Sequence, residues 1–381
     1  MAYVEYRDLS SPNEILASMV TYIKSRGFVV VKDLADDLNV YDAATTDGKK
    51  FCFQDRSGDY FIILRSANGT NIFGVNDETT MDTTTADKDP MYYGIGMVVA
   101  EGYSDARRWY NQYHAPLNNS NKDVQGVFLP APSALEGATI KYTLYCNEVT
   151  IPTTTLVFTI MKQDSKYKQV AHMAVGVVSK YESWEGGAIF SASASRYDMK
   201  TAAKCFLDTA DSDKYIRPLF SSGTVSNTFM RIDIDEAPSD SRGNILWASS
   251  GTNNETGKPM ALPIRTSLAT NGEIPHYYYL QSKDRTDSGM DVNTLNCISV
   301  NMPLFVAVRV DPDVLDNYAA AGTISGVFFI STYNTQTSVC YEMSYPGSGD
   351  LCQTFPMGHR RGATYGFDGI SIKQETDTSG T

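Results

Sequence analysis

Four histidines, six cysteines and one compact run of carboxylates are the obvious candidates for chemistry in this 381-residue sequence. His114, His172, His276 and His359 lie far apart, and none has a second His or Cys at the short spacing zinc ligands use. His172, within Gln169-Val-Ala-His-Met-Ala-Val175, reads as one face of a strand. The acidic group Asp233, Asp235, Glu236 and Asp240 is more tempting. Asp233 and Asp235, on one face of a strand over residues 229–234, offer oxygen ligands to a hard cation. Opposite a facing strand, two such carboxylates also meet the minimum for glycoside hydrolysis. The glycine turn and bidentate glutamate of a calcium loop are missing, which leaves a solvated strand edge as the plain alternative.

Nucleophile and nucleotide patterns are absent. Gly322-Thr-Ile-Ser-Gly326 places its serine one position too late for a nucleophile elbow. Gly94-Ile-Gly96 meets Val99 where a dinucleotide fingerprint wants its third glycine, so these glycines read as sites of close backbone approach within a strand. The sequence therefore predicts no catalytic, cofactor-binding or metal-binding residue.

Recognition residues are better represented. Residues 101–116 gather Tyr103, Trp109, Tyr110, Tyr113 and a basic pair into one connection, and residues 276–279 add three consecutive tyrosines. Such side chains serve equally as caps on a β core, as a protein interface or as a stacking platform for sugars. Near the end, Arg360 and Arg361 stand between glycines, with Phe355, Tyr365 and Phe367 as aromatic company. In a chain of net charge −12 this cationic finger has many carboxylates to meet, on its own chain or a neighbour's. Arg360, Arg361, Tyr365, Phe367, Trp109, Tyr110 and Tyr113 are thus the expected intersubunit contacts.

The same negative charge, with Lys and Arg dispersed, argues against general or sequence-specific nucleic-acid binding. No apolar run approaches the length of a membrane span, and the first residues lack a basic-then-apolar signal pattern, which predicts a cytosolic origin and no membrane partner. Cys52, Cys146, Cys205, Cys297, Cys340 and Cys352 are too widely spaced for a disulfide scaffold. Buried thiols are expected, with Cys340 and Cys352 alone near enough for a local bridge or hairpin partnership.

The elements that would carry these residues are mostly strands. One helix is predicted at the front: Ser11 as N-cap, Pro12 in the first turn, Glu14 reaching back, and Ile15, Leu16, Met19, Val20 and Ile23 on one face before Gly27 ends it. Its expected partner is the strand at 28–31 or, equally, another subunit. A meander over 50–54, 60–65 and 71–75 follows. Further strands are read at 92–99, 124–129, 140–146, 156–161, 170–178, 188–193, 229–234, 277–281, 297–310, 324–331 and 339–344. Segments 156–161 and 170–178 should form one hairpin, and helical propensity returns at 104–113 and 313–321. Residues 76–90 and 375–381 read as an exposed loop and a tail.

The fold class expected is mainly β, with antiparallel sandwich-like sheets and a short N-terminal helix. Residues 1–237 and 258–381 read as two β-rich modules joined by a hinge at 238–257, or as one interlocked body.

This organisation resembles tail-associated virion structural proteins of large tailed bacteriophages, of the neck, tail-terminator or baseplate type. The resemblance rests on the capped front helix leading into a β-rich body, the aromatic loop at 102–116 and the ending from Arg360-Arg361 to Lys373. It implies a non-enzymatic subunit, assembled in the bacterial cytoplasm into a homo-oligomeric ring of the virion beside other virion proteins. The alternative reading is a carbohydrate-binding or carbohydrate-cleaving receptor-recognition component of the tail.

Overall fold

The computed structural model describes residues 3–34, 50–58, 60–68, 93–107, 109, 112–113, 115, 127–131, 134–135, 138–163, 170–181, 189–193, 228–233, 245–249, 261–265, 302–309, 318–331, 341–344, 350–356 and 368–374. The chain is mainly β, built from antiparallel curled sheets, with one helix among the described residues. Strand β1 (Tyr3–Leu9) leads into α1 (Pro12–Ser25), followed by β2 (Val29–Lys32), β3 (Lys50–Gln54), β4 (Phe61–Asn68), β5 (Tyr93–Ala100) and β6 (Val127–Pro130). A small pair, β7 (Ala134–Leu135) and β8 (Ala138–Thr139), precedes β9 (Tyr142–Val149), β10 (Thr155–Lys162), β11 (Val170–Lys180) and β12 (Ile189–Ser193). Then come β13 (Thr228–Asp233), β14 (Ile245–Ser249), β15 (Ala261–Arg265) and β16 (Met302–Arg309). The last four are β17 (Tyr318–Ser331), β18 (Tyr341–Ser344), β19 (Leu351–Pro356) and β20 (Asp368–Lys373).

Strands β2-β3-β4-β5-β6 form a five-stranded sheet in that order. The main path of the larger sheet runs β1-β9-β10-β11-β17-β20-β19-β18, and β11 is where it forks. β11 pairs with β10 from Val170 to Gly176, with β12 from Met173 to Val177 and with β17 from Val178 to Lys180. Beyond this fork the sheet curls back on itself. Phe355 of β19 lies over the β9–β11 layer, edge-on to Tyr145 and His172 at 5.0 and 5.7 Å between ring centroids. Beside them Asn147 donates to Gln353 at 3.1 Å in the buried interior. Tyr145, Thr159 and His172 are aligned across β9, β10 and β11, so one face of three strands receives one aromatic from the returning sheet.

The opposite face of that layer receives α1. Tyr22 meets Phe158 edge-on at 6.4 Å, and Ile15, Leu16, Met19, Val20 and Ile23 are buried in the same core. Ser11 caps the helix as expected, its Oγ accepting from Glu14 N at 3.2 Å. Glu14 reaches one residue further back than expected, accepting from Ser10 N at 2.7 Å. Gly27, at φ +77°, ends the helix in the left-handed region. The helix packs chiefly on β4, β5, β1 and β9 rather than on the strand that follows it, because the side chains of Val29, Val30 and Val31 face solvent.

Period-two alternation splits the five-stranded sheet between two cores. Phe51, Phe53, Ile62, Leu64, Ile95, Met97, Val99, Val127 and Leu129 join the main core; Cys52, Ile63, Val98, Ala100 and Phe128 join a second one. Both faces are dry, which explains why these strands read as nearly continuous apolar runs. Gly94 is required at the β5–β6 crossing. At φ +153°, any Cβ there would stand 2.1 Å from the Leu129 carbonyl oxygen.

Several expectations are corrected. The third strand of the meander is β5, which occupies the free edge of β4 along its whole length, while 71–75 lies outside the described residues. Described residues of 104–113 form turns instead of a helix, and the segment read as helical at 313–321 enters β17 at Tyr318. Alanine-rich local propensity at 318–321 yields there to pairing with β16. Within 238–257, residues 245–249 form β14, paired with β13, and the rest lies outside the described residues. Segments 277–281, 76–90 and 375–381 also lie outside them.

Candidate functional site, a tied aromatic loop

The connection leaving β5 crosses the open face of the five-stranded sheet and closes on itself. Gly102 and Tyr113 form an isolated antiparallel bridge, and Glu101 N donates to Tyr113 O at 3.0 Å. A side chain at Gly102 would press the Tyr113 ring at 3.1 Å, so the small residue permits the closure. Inside the neck, Gln112 supplies the hydrogen bonds that the turns lack: its Oε1 accepts from Ser104 N at 2.8 Å, and its Nε2 donates to Ser104 O at 3.1 Å. Ala106 N donates to Ser104 Oγ and Arg107 N to Ser104 O, setting a tight turn. The described residues thus close the neck of a loop in the manner of an Ω-loop.

Trp109 anchors the loop. It is fully buried among Cys52, Ile63, Val98, Ala100, Ala115 and Phe128, with Tyr103 and Phe61 at the margin. Among the three roles left open for these aromatics, Trp109 takes the core-covering one, which removes it from the intersubunit contacts. Tyr113 behaves differently: it is 44% exposed, with the Arg107 guanidinium 3.9 Å from its ring centroid. On the near side of the loop Asp105 accepts from the Tyr103 hydroxyl at 2.8 Å and faces Lys32 Nζ at 3.5 Å. That hydroxyl, then Lys32 and Lys50, hold the Asp105 carboxyl below the usual carboxylate range. Lys50 is itself buried, its ammonium 5.8 Å from the centroid of the Tyr103 ring.

Other expected site residues fall elsewhere. Arg360, Arg361, Tyr365 and Phe367 lie outside the described residues, in the connection between β19 and β20, which pair side by side up to Pro356 and Gly369. Tyr110 lies outside them as well, as do His114, His276, His359, Asp235, Glu236 and Asp240. Asp233 ends β13, opposite Ile245. His172 is a core residue: its Nδ1 is 2.8 Å from Thr159 Oγ1, and burial drives its pKa down to about 3. Cys52 and Cys146 are buried thiols whose pKa values burial pushes up, as inert core cysteines require. Cys352 is buried opposite Met343, and Cys340 lies outside the described residues. No group of three metal-ligating side chains occurs among the described residues. No described helix is long and apolar enough to cross a membrane.

Two features escaped sequence reading. Gln112 gives no sign in the sequence that it holds the loop's neck. Glu148 looks like an ordinary strand carboxylate, yet it is completely buried, paired with Arg26 at the end of α1 and with Arg56 of the β3–β4 turn at 2.7 Å. Arg56 also lies 4.6 Å from the centroid of the Phe28 ring and donates to the Arg26 carbonyl. No family model, curated protein or solved structure matches this chain.

Proposed function

We propose that this chain is a non-enzymatic structural subunit of a bacteriophage virion, assembling with copies of itself into a ring or collar in the neck, tail or baseplate. The observation that carries the assembly reading is the edge of the five-stranded sheet. Among the described strands β2 is the terminal one, and Val29, Val30 and Val31 are 54%, 36% and 41% exposed there. Edge strands of proteins that stay apart are usually guarded by charge, proline or a bulge, because an apolar edge invites another chain. Here the register against β3 shifts between Val30 and Lys32, yet three consecutive β-branched apolar side chains are still presented to solvent on an acidic chain of net charge −12. The virion assignment rests on the resemblance in organisation described above.

The glycan-recognition alternative loses its main platform with the burial of Trp109 and keeps only Tyr113 as an exposed ring of the described loop. Electron-microscopic imaging of purified protein, followed by a glycan array, tests the assignment. Closed rings without glycan binding are expected. Dispersed single subunits that bind a defined glycan would overturn it in favour of receptor recognition.

A further inference from the structure

Among its described residues the tied loop presents one cation prepared for a partner. Arg107 is exposed, has its guanidinium carbon 3.9 Å from the Tyr113 ring centroid, and pairs with no carboxylate among the described residues. Asp105, the nearest acid in sequence, is already engaged with Tyr103 and Lys32. A guanidinium stacked on an aromatic ring keeps its N–H donors at its rim, where they match a carboxylate in bidentate fashion. The bridge of Gly102 to Tyr113, the Gln112 hydrogen bonds and the buried Trp109 fix the loop before any partner arrives. Less ordering entropy then remains to be lost on binding.

The charge balance of the chain makes a second copy an acidic partner for that cation. With 44 acidic against 32 basic side chains, two copies repel at long range, and a contact between them must set cations against carboxylates. We propose that the Arg107–Tyr113 pair is a contact point between copies of this chain. Arg107 takes a surface carboxylate of the neighbouring copy, and Tyr113 adds apolar area beside it. This inference rests on the reading of the chain as a self-assembling subunit and names one of its contacts.

Sedimentation velocity on the full chain, comparing wild type with Arg107→Glu, Arg107→Lys and Tyr113→Ser, tests it. Because both residues are exposed, thermal midpoints should remain those of the wild type. Arg107→Glu should weaken association about tenfold or more, and Arg107→Lys by less, since an ammonium keeps the charge without the bidentate fork. Wild-type assembly undiminished in Arg107→Glu would overturn this contact and leave the assembly reading standing. A wild-type chain that stays monomeric at every concentration would overturn both.

Discussion

At His172 the fold holds an imidazole neutral between two β layers, against Thr159 and the Phe355 ring. Its folded pKa of about 3 lies below the ordinary value of about 6.5, so below that ordinary value the unfolded chain binds the extra proton. The stability this neutral histidine contributes is complete above about pH 6.5 and is lost as pH falls, by up to about 1.4 kcal/mol per unit, until about pH 3. Urea midpoints measured from about pH 7 to about pH 4 should therefore show wild type losing stability faster than His172→Gln; parallel curves would contradict the assignment. The neutral strand role of His172 was legible in its apolar neighbours, whereas its partner Phe355 was not, because nothing local records which strand returns over β11. Trp109 teaches the reverse lesson. Its company of tyrosines and arginines resembles an interface, yet Trp109→Ala should cost about 3–5 kcal/mol by emptying the second core, read as a lowered denaturant midpoint. A small change there would mean that the loop does not plug the sheet.

At the level of elements, local signals sufficed where a pattern repeats within a few residues. Ser11, Pro12 and the apolar stripe identify α1, alternation identifies β9, and apolar runs between turn residues identify β3, β4, β10 and β11. The strand partners were less legible, since β4 and β5 are separated by a long connection and pair only because each buries two faces. The ion pairs that fasten α1 were not legible at all. Arg26 and Arg56 converge on Glu148 from distant segments, at sequence separations that carry no periodic signal. Removing both cations with Arg26→Ala and Arg56→Ala leaves a buried carboxylate without compensation, at a cost of about 3–5 kcal/mol. Adding Glu148→Leu to that pair should recover much of the loss. Failure to recover would show that the arginines act through packing instead, for example Arg56 over Phe28.

For the whole molecule, the sequence conveyed the mainly β class and the dominance of antiparallel pairing, while the fork at β11 and the curl that brings β19 over β9 depend on contacts far apart in the chain. Among the features left exposed in the described residues are the apolar strand β2 and Arg107 against the Tyr113 ring. Both are features that a chain of net charge −12 would use to hold its own copies together. Self-assembly is the central claim, and the mass of the purified protein over a range of concentrations by sedimentation velocity tests it most directly. The account predicts a species whose mass is a multiple of 42.0 kDa, dissociated by Val29→Lys with Val31→Lys while the subunit stays folded. A species of 42.0 kDa at all concentrations, unchanged by those substitutions, would contradict it.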